Sequence, residues 1–233
     1  MGFDTPEFWL ALGQIIWINI ILSGDNAVVI ALAARSLPPN QQKMAILWGS
    51  GAAVALRIAL TFVAAYLLKL PYLQIVGGLL LLWIGFQLIS GEEGGEEDGE
   101  VKQVGSLAVA VRTILIADLV MSLDNVIAVA LAAKGDFTLL VLGLAISIPL
   151  VVFGSTMMIK LMERFPVIIT LGAALIGWVA GDAISHDVAV KHLFENNAVL
   201  GYALKAACAI MIVVVGKWLA ARASRKAHVA RSA

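Results

Sequence analysis

The sequence has few charged residues, a single cysteine and no excess of either charge. Only 14% of its 233 residues are charged, whereas water-soluble domains carry about 25%. The composition is 61% hydrophobic, and a soluble chain of this length could not bury so much apolar surface, because a single core stops growing at about this size. A net charge of zero gives no electrostatic footprint for nucleic acid. Cys208 has no second cysteine to pair with, which excludes a disulfide framework within the chain.

Motifs of catalysis and of secretion are also missing. The sequence contains no nucleophile elbow, no HExxH and no phosphate-binding loop. We therefore expect no enzymatic activity and no permanently bound cofactor. The N-terminus carries Asp4 and Glu7 but no basic stretch, so the first apolar run is predicted to be a permanent span and not a cleaved signal peptide.

Long apolar runs dominate what is present. The mean hydropathy is +0.95, and crossing a bilayer takes about 20 mainly apolar residues as a helix. Lipid offers no partner for a bare backbone, so every span should be helical. The sequence therefore predicts an all-α, polytopic membrane protein with seven transmembrane helices, near residues 8–34, 42–68, 72–90, 107–133, 137–161, 166–184 and 199–221.

An acidic, glycine-rich segment divides the chain. Residues 91–100 read GEEGGEEDGE, a composition that cannot pack and is typical of a flexible linker. The predicted organisation is a first three-helix repeat, the linker, a second three-helix repeat, and a seventh helix with a basic tail, at residues 1–90, 91–106, 107–190 and 191–233.

The two halves resemble each other. SGDNAVVIALAAR, residues 23–35, aligns without gaps to SLDNVIAVALAAK, residues 122–134, with seven of thirteen positions identical. GGLLLLWIGFQLI, from residue 77, aligns to GAALIGWVAGDAI, from residue 172. Three spans per unit reverse the second unit relative to the first, so the chain is predicted to be an inverted repeat, an architecture common in transporters with a site near the midplane.

Basic residues predict the orientation, because cytoplasmic loops collect Lys and Arg. Eleven lie on one predicted side and four on the other. The larger set marks the cytoplasm, so the N-terminus is expected outside and the C-terminus inside a multi-pass inner (plasma) membrane protein. The larger set is Arg35, Lys43, Lys102, Arg112, Lys160, Arg164, Lys217, Arg222, Arg225, Lys226 and Arg231, and the smaller set is Lys69, Lys134, Lys191 and Lys205.

Charged residues within the spans are the candidate functional residues. Asp25 and Asp124 each lie ten residues before the basic end of their span, a rise of about 15 Å, which puts both near the midplane. Asp118 and the single cation Arg57 lie at a similar level, so the charge sums to −2 when all four are ionised. A divalent cation would neutralise that sum, and intramembrane acids usually serve function.

The neighbouring residues suggest the ligand chemistry. Asn26 and Asn125 follow the two motif aspartates, and Gly24 marks a place where the first span can break and free carbonyl oxygens. Carboxylate and amide oxygens suit Mg²⁺, Ca²⁺ and Mn²⁺. The predicted metal ligands are therefore Asp25, Asn26, Asp118, Asp124 and Asn125, with Asn19, Arg57, Gln87 and Asp182 as accessory residues. The alternative for these groups is interhelical hydrogen bonding, and for Arg57 a purely structural counter-ion role.

The motifs LSGDNAVVIALAARSLP and MSLDNVIAVALAA closely resemble those of the TerC family of bacterial membrane proteins, in its short seven-span branch. The resemblance extends over essentially the whole chain. It implies Mn²⁺ efflux, with Asp25, Asn26, Asp124 and Asn125 at the motif positions. Many relatives carry an acid six residues before each motif Asp. Asp118 fits that pattern and Asn19 departs from it.

The sequence thus favours an inner-membrane exporter of divalent cations, with Mn²⁺ as the expected substrate and the lipid bilayer as its surroundings. Exchange of metal for protons at the carboxylates is one way to drive export. The alternatives are a non-transporting membrane factor that delivers metal to exported proteins or acts in tellurite or stress resistance, and an amino-acid exporter that uses Arg57 to bind the substrate carboxylate.

Overall fold

Nine α-helices make up the regular structure of the described residues of this computed structural model, which are 5–90, 106–133, 136–195 and 197–232. Within the helices, the side chains of residues 64, 65, 124, 220 and 222–232 lie outside the description. The helices are α1 (Pro6–Leu22), α2 (Gly24–Ala34), α3 (Pro39–Leu67), α4 (Leu73–Ser90), α5 (Leu107–Ala133), α6 (Phe137–Arg164), α7 (Val167–His186), α8 (Lys191–Glu195) and α9 (Ala198–Ser232).

Helix starts follow local sequence. Pro6 and Pro39 are the first residues of α1 and α3, positions where a missing N–H is harmless and the fixed φ suits the helix. Asp136 caps α6, because its carboxylate accepts hydrogen bonds from the backbone N–H groups of Thr138 and Leu139 at 2.9 and 3.2 Å.

Five helices among the described residues are candidate membrane spans by length and composition, and two bent helix pairs raise the number to seven if each pair is one span. The single helices lie within α3, α4, α6, α7 and α9. The bent pairs are Pro6–Leu22 with Gly24–Ala34 at 51°, and Leu107–Leu123 with Asn125–Ala133 at 65°. The prediction of an all-α polytopic membrane protein is confirmed. The short helix α8, before the last span, was not predicted.

The predicted division into units stays a prediction, and the acidic linker, residues 91–106, lies outside the described residues apart from Ser106. Large apolar side chains cover the outer surface of the helices. Trp17, Tyr66, Leu131, Phe153 and Val199 are each more than 60% exposed. An apolar exterior of this extent belongs in lipid.

The helices pack in a reciprocal pattern. The first span (α1 and α2) packs on the fifth (α6), and the fourth (α5) packs on the second (α3). The first span also contacts the sixth (α7), as the fourth contacts the third (α4), and the third and sixth pack on each other. Exchange of the two units reproduces this pattern. Any repeat of two equivalent units gives this pattern, and the inverted repeat stays a prediction.

Each helix break separates two apolar clusters. In the first span, Ile15 belongs to a cluster with the N-terminal half of α6, whereas Val29 belongs to the large cluster formed with α4, α5, α7 and α9. The fourth span divides in the same way, with Val120 in the large cluster and Val129 in the other. The polar residues of both breaks therefore lie between two apolar layers.

Candidate functional site

The two broken spans meet at their breaks. Ser23 leaves helical geometry with φ −108° and ψ 1°, and α2 starts at the next residue. Asn125, at the break of the fourth span, donates a hydrogen bond from Nδ2 to the carbonyl oxygen of Leu22 at 3.4 Å. A carbonyl freed by the first break is thus bound by an amide from the second. The break in the fourth span has no glycine to mark it in the sequence.

Arg57 of α3 lies beside both breaks and is buried. Its Nε donates to Oγ of Ser122 at 2.8 Å, and its Nη1 donates to Oδ1 of Asn19 at 2.8 Å and to Oγ of Ser23 at 3.4 Å. Nη2 forms an ion pair with Oδ1 of Asp118 at 2.6 Å. We call these five residues the Arg57 network. Two of the acceptors come from each broken span, so the guanidinium joins the two units.

The acceptors are related by the repeat. Asn19 and Asp118 lie six residues before the two motif aspartates, and Ser23 and Ser122 begin the two motifs. Ser23 also donates to Oδ1 of Asn19 at 3.3 Å, and Ser122 donates to Oδ2 of Asp118 at 3.1 Å. Each broken span therefore has the same contact, in which a serine hydroxyl donates to the polar side chain four residues earlier on one helix face.

The predicted ligands are distributed around this network. Asp118 is paired with Arg57, and the half-buried Asp25 accepts a hydrogen bond at Oδ1 from the backbone N–H of Asn26 at 2.8 Å. The side chain of Asp124 lies outside the described residues. Among the described side chains, no group of three or more acids, histidines or cysteines is placed to hold a metal ion.

A cavity of about 20 Å³ lies against the Arg57 network. This volume suits a single water-sized group. Asn26 is 4% exposed, and neither its amide oxygen nor its amide nitrogen has a hydrogen-bond partner within the described part of the chain. The hydroxyl of the buried Ser50 also has no hydrogen-bond partner within the described part of the chain. The polar residues that line the cavity are Asn19, Ser23, Asn26, Ser50, Arg57, Asp118 and Ser147.

Two predicted accessory residues lie apart from the cavity. Asp182 of α7 forms an ion pair with Lys205 of α9 and lies 3.6 Å from Nδ1 of His186. The Lys205 ammonium also lies 5.3 Å from the ring centre of Tyr202, close enough for a cation–π contact. Gln87 is half-buried on α4 and does not line the cavity. Asp182 and Gln87 correspond in the sequence alignment, but the structure gives them no shared site.

A further buried acid, Asp187, was not predicted to have a structural role. It follows α7 and is fully enclosed. Its carboxylate accepts hydrogen bonds from the backbone N–H groups of Tyr72, Gln74, Ile75 and Ala189, at 2.8 to 3.2 Å. Burial alone would raise the pKa of Asp187, but these four hydrogen bonds together lower the pKa below its ordinary value.

Asp187 thereby caps the start of α4 from the other predicted unit. Tyr72, just before α4, has a φ of 68°, a left-handed conformation that is strained for a bulky residue. The sequence offered no signal for this cap, because the N–H groups at the start of α4 lie more than 100 positions from Asp187 along the chain.

Comparisons with known proteins agree with the motif resemblance. The family model described as "Integral membrane protein TerC family" matches residues 4–226. The chain is 45% identical over 181 residues to the uncharacterized membrane protein YjbE of Bacillus subtilis, covering 78% of this chain and 82% of that protein. It is 27% identical over 176 residues to the UPF0053 inner membrane protein YgdQ of Escherichia coli K12, covering 69% and 74%. No solved structure matches the chain.

Proposed function

The chain belongs to the TerC family of integral membrane proteins, and from that premise we propose that it exports divalent cations, with Mn²⁺ as the substrate. The observation that carries the proposal is the meeting of two broken spans between apolar layers, where carboxylate, amide and hydroxyl groups are buried together. Buried polar groups of this kind are expensive in a membrane and usually mark the path of an ion or substrate.

The available donors suit a hard cation. Asp25 and Asp118 supply carboxylates, and Asn26 and Asn125 supply amide oxygens. Asp124 is the further motif acid in our proposed ligand set. The break at Ser23 adds backbone carbonyls, and oxygen donors of all three kinds bind Mg²⁺, Ca²⁺ and Mn²⁺. The two orphaned amide atoms of Asn26 support a ligand that is bound during only part of a cycle.

The proposed mechanism is alternating access around this site. The reciprocal packing of the two units supports rocking of one unit against the other. The cation would enter from the cytoplasm of an inner-membrane protein whose N-terminus lies outside. One relative is named an inner membrane protein, which supports that membrane. The alternative function is delivery of metal to exported proteins without net transport. It requires the same residues, so only a measurement of metal flux distinguishes it from export.

Reconstitution tests the proposal. Purified protein in proteoliposomes with a trapped metal-sensitive dye is expected to carry Mn²⁺ across the bilayer, and Mg²⁺, Ca²⁺ and Zn²⁺ are compared in the same vesicles. Asp182→Asn is the matched control, since it removes an acid that lies outside the Arg57 network, and it should transport at the parental rate. Absence of flux for every cation, from protein that is folded and inserted, would reject the exporter in favour of metal delivery.

A further inference from the structure

The guanidinium of Arg57 occupies a cage made only of oxygen acceptors. Two hydroxyls, an amide oxygen and a carboxylate surround it, at 2.6 to 3.4 Å. Hard metal cations are coordinated by oxygen atoms of these same kinds. The cage is therefore a cation site that already holds a cation, one tethered to α3.

The arrangement of the cage relates it to the predicted repeat. Its four acceptors are two repeat-related pairs, one member of each pair from each broken span. The corresponding part of α6 reads VVFGS at residues 151–155 and carries no charged residue. One cation thus serves acceptors from both units, as a carried ion at the interface of the two units would.

A second observation points to a ligand beside Arg57. The Asn26 amide and the Ser50 hydroxyl line the adjoining cavity with no hydrogen-bond partner in the described chain. Buried polar atoms are normally satisfied. The cavity is too small for a hydrated ion, at about 20 Å³. Movement of the guanidinium out of the cage would make space for one.

We propose that Arg57 is a tethered stand-in for the transported cation. It neutralises Asp118 in the empty protein, leaves Asp118 when the metal binds, and returns to it after the metal has been released, so that the empty protein can reorient without leaving Asp118 unpaired. The inference rests on the proposed function and deepens it. It also makes proton binding at Asp118 unnecessary for the return step, because Arg57 supplies the compensating charge.

If Arg57 competes with the metal, removal of Arg57 should raise the affinity for Mn²⁺. The cage is open to metal only in the fraction of molecules in which Arg57 has left, and apparent affinity falls in proportion to that fraction. Minor states of this kind hold roughly 0.1–10% of a population. Arg57→Gln should therefore bind Mn²⁺ about tenfold or more tightly than the parent protein. A merely structural arginine would give the opposite sign, since its removal would disorder the site.

Transport should separate into two modes in the same variant. Arg57→Gln has no internal cation to neutralise the empty site, so it should exchange Mn²⁺ between Mn²⁺-loaded vesicles and the medium. It should lose net transport into Mn²⁺-free vesicles. Arg112→Gln is the matched control, because Arg112 is an exposed residue of α5. It should keep the parental affinity and both modes.

The test is Mn²⁺ binding by titration calorimetry together with net and exchange flux in proteoliposomes, on full-length protein purified with Mn²⁺ and then depleted of it. Tighter binding with exchange alone supports the inference. Unchanged net transport, or weaker binding with loss of both modes, overturns it while leaving the exporter intact. Absence of both modes from the parent protein rejects the proposed function itself.

Arg57→Lys decides the matter if Arg57→Gln does not fold. Lysine is a point charge that cannot bridge four acceptors as a guanidinium does, so it should compete less strongly and raise the apparent Mn²⁺ affinity while net transport persists. Parental or weaker Mn²⁺ affinity in folded Arg57→Lys overturns the inference.

Discussion

Ile114 on α5 lies directly against Gly49 on α3, where a Cβ added to the glycine would sit only 2.8 Å from the Cδ1 atom of Ile114. A similar contact lies between Ile15 on α1 and Gly143 on α6. The two isoleucines are 99 residues apart, the separation of the two motif aspartates. Close approach of the first span to the fifth and of the fourth to the second therefore depends on equivalent side chains.

Gly49→Ala should destabilise the protein. Overpacking of a filled contact costs about 1–3 kcal/mol, which exceeds the gain of about 0.5–1 kcal/mol from replacing glycine within a helix. Gly51→Ala is the matched control in the same helix, because nothing lies within 4 Å of its added Cβ. Thermal unfolding in detergent should show a lower Tm for Gly49→Ala and an unchanged or higher Tm for Gly51→Ala. Equal Tm values for the two variants would contradict the close contact.

Asp187→Asn should destabilise the junction between α7 and α4. The asparagine keeps the volume but replaces one acceptor oxygen by an amide nitrogen and removes the charge, and hydrogen bonds to a charged group contribute about 1.5–3 kcal/mol. His192→Gln, in the exposed short helix α8, serves as the control. The measurement is Tm in detergent at neutral pH, and a Tm equal to that of the parent would contradict the capping role.

The Asp187 cap also predicts how stability depends on pH. Its folded pKa is lowered from the ordinary value of an aspartate, so the ionised form stabilises the folded protein. That contribution is complete above the unfolded pKa of about 3.9 and is lost as the pH falls through the lower folded pKa. As the pH falls below about 4, the parent should therefore lose more Tm than Asp187→Asn does. Parallel pH profiles would show that this carboxylate makes no such contribution.

The fold could be predicted largely because lipid simplifies the problem. A span must be long, apolar and helical, and the seven predicted runs correspond to five single helices and two bent helix pairs. Gly24 indicated the first break in the same way. Small residues allow helices to pack closely in membranes, and Gly77, Gly78, Gly172 and Gly177 each lack room for a Cβ against a neighbouring helix.

The partners of the polar residues could not be predicted so well. Ser23 and Ser122 were visible as motif residues, and their spacing of four from Asn19 and Asp118 was available as a signal. Their role as acceptors for Arg57 depends on which face of α3 meets the breaks, and tertiary packing decides that. Alignment likewise paired Gln87 with Asp182, yet Lys205 from the seventh span, outside the repeat, binds Asp182.

The ion pair of Arg57 and Asp118 should behave as one unit in folding. Arg57→Ala leaves a buried carboxylate without compensation, a loss of about 3–5 kcal/mol, and should lower the amount of folded protein in the membrane. Adding Asp118→Asn removes the uncompensated charge and should restore most of that amount. Fluorescence-detected size exclusion of tagged variants provides the measurement. A double variant as poorly folded as Arg57→Ala alone would reject this pairing as the source of the defect.

The basic residues predict a topology that labelling can check. In a Cys208→Ser background, a cysteine at Gly135 should react with a membrane-impermeant maleimide on intact cells. A cysteine at Gly95, in the predicted cytoplasmic linker, should react only after the membrane is opened, because the positive-inside bias is eleven to four. Labelling of the Gly95 position on intact cells would reverse the orientation and the proposed direction of transport.

Mn²⁺ efflux by Asp25→Asn and Asp124→Asn tests the central claim most directly. Each change keeps the side-chain volume and removes formal charge, and neutral oxygens alone compensate a divalent cation poorly in a low dielectric. Both variants should reach the membrane at parental level, lose efflux and leave cells sensitive to Mn²⁺. The double variant should be little worse than either single one, since groups that act together are non-additive. Asp182→Asn should export normally. Export of Mn²⁺ at the parental rate by both single variants would contradict the account, because the two aspartates would then be structural.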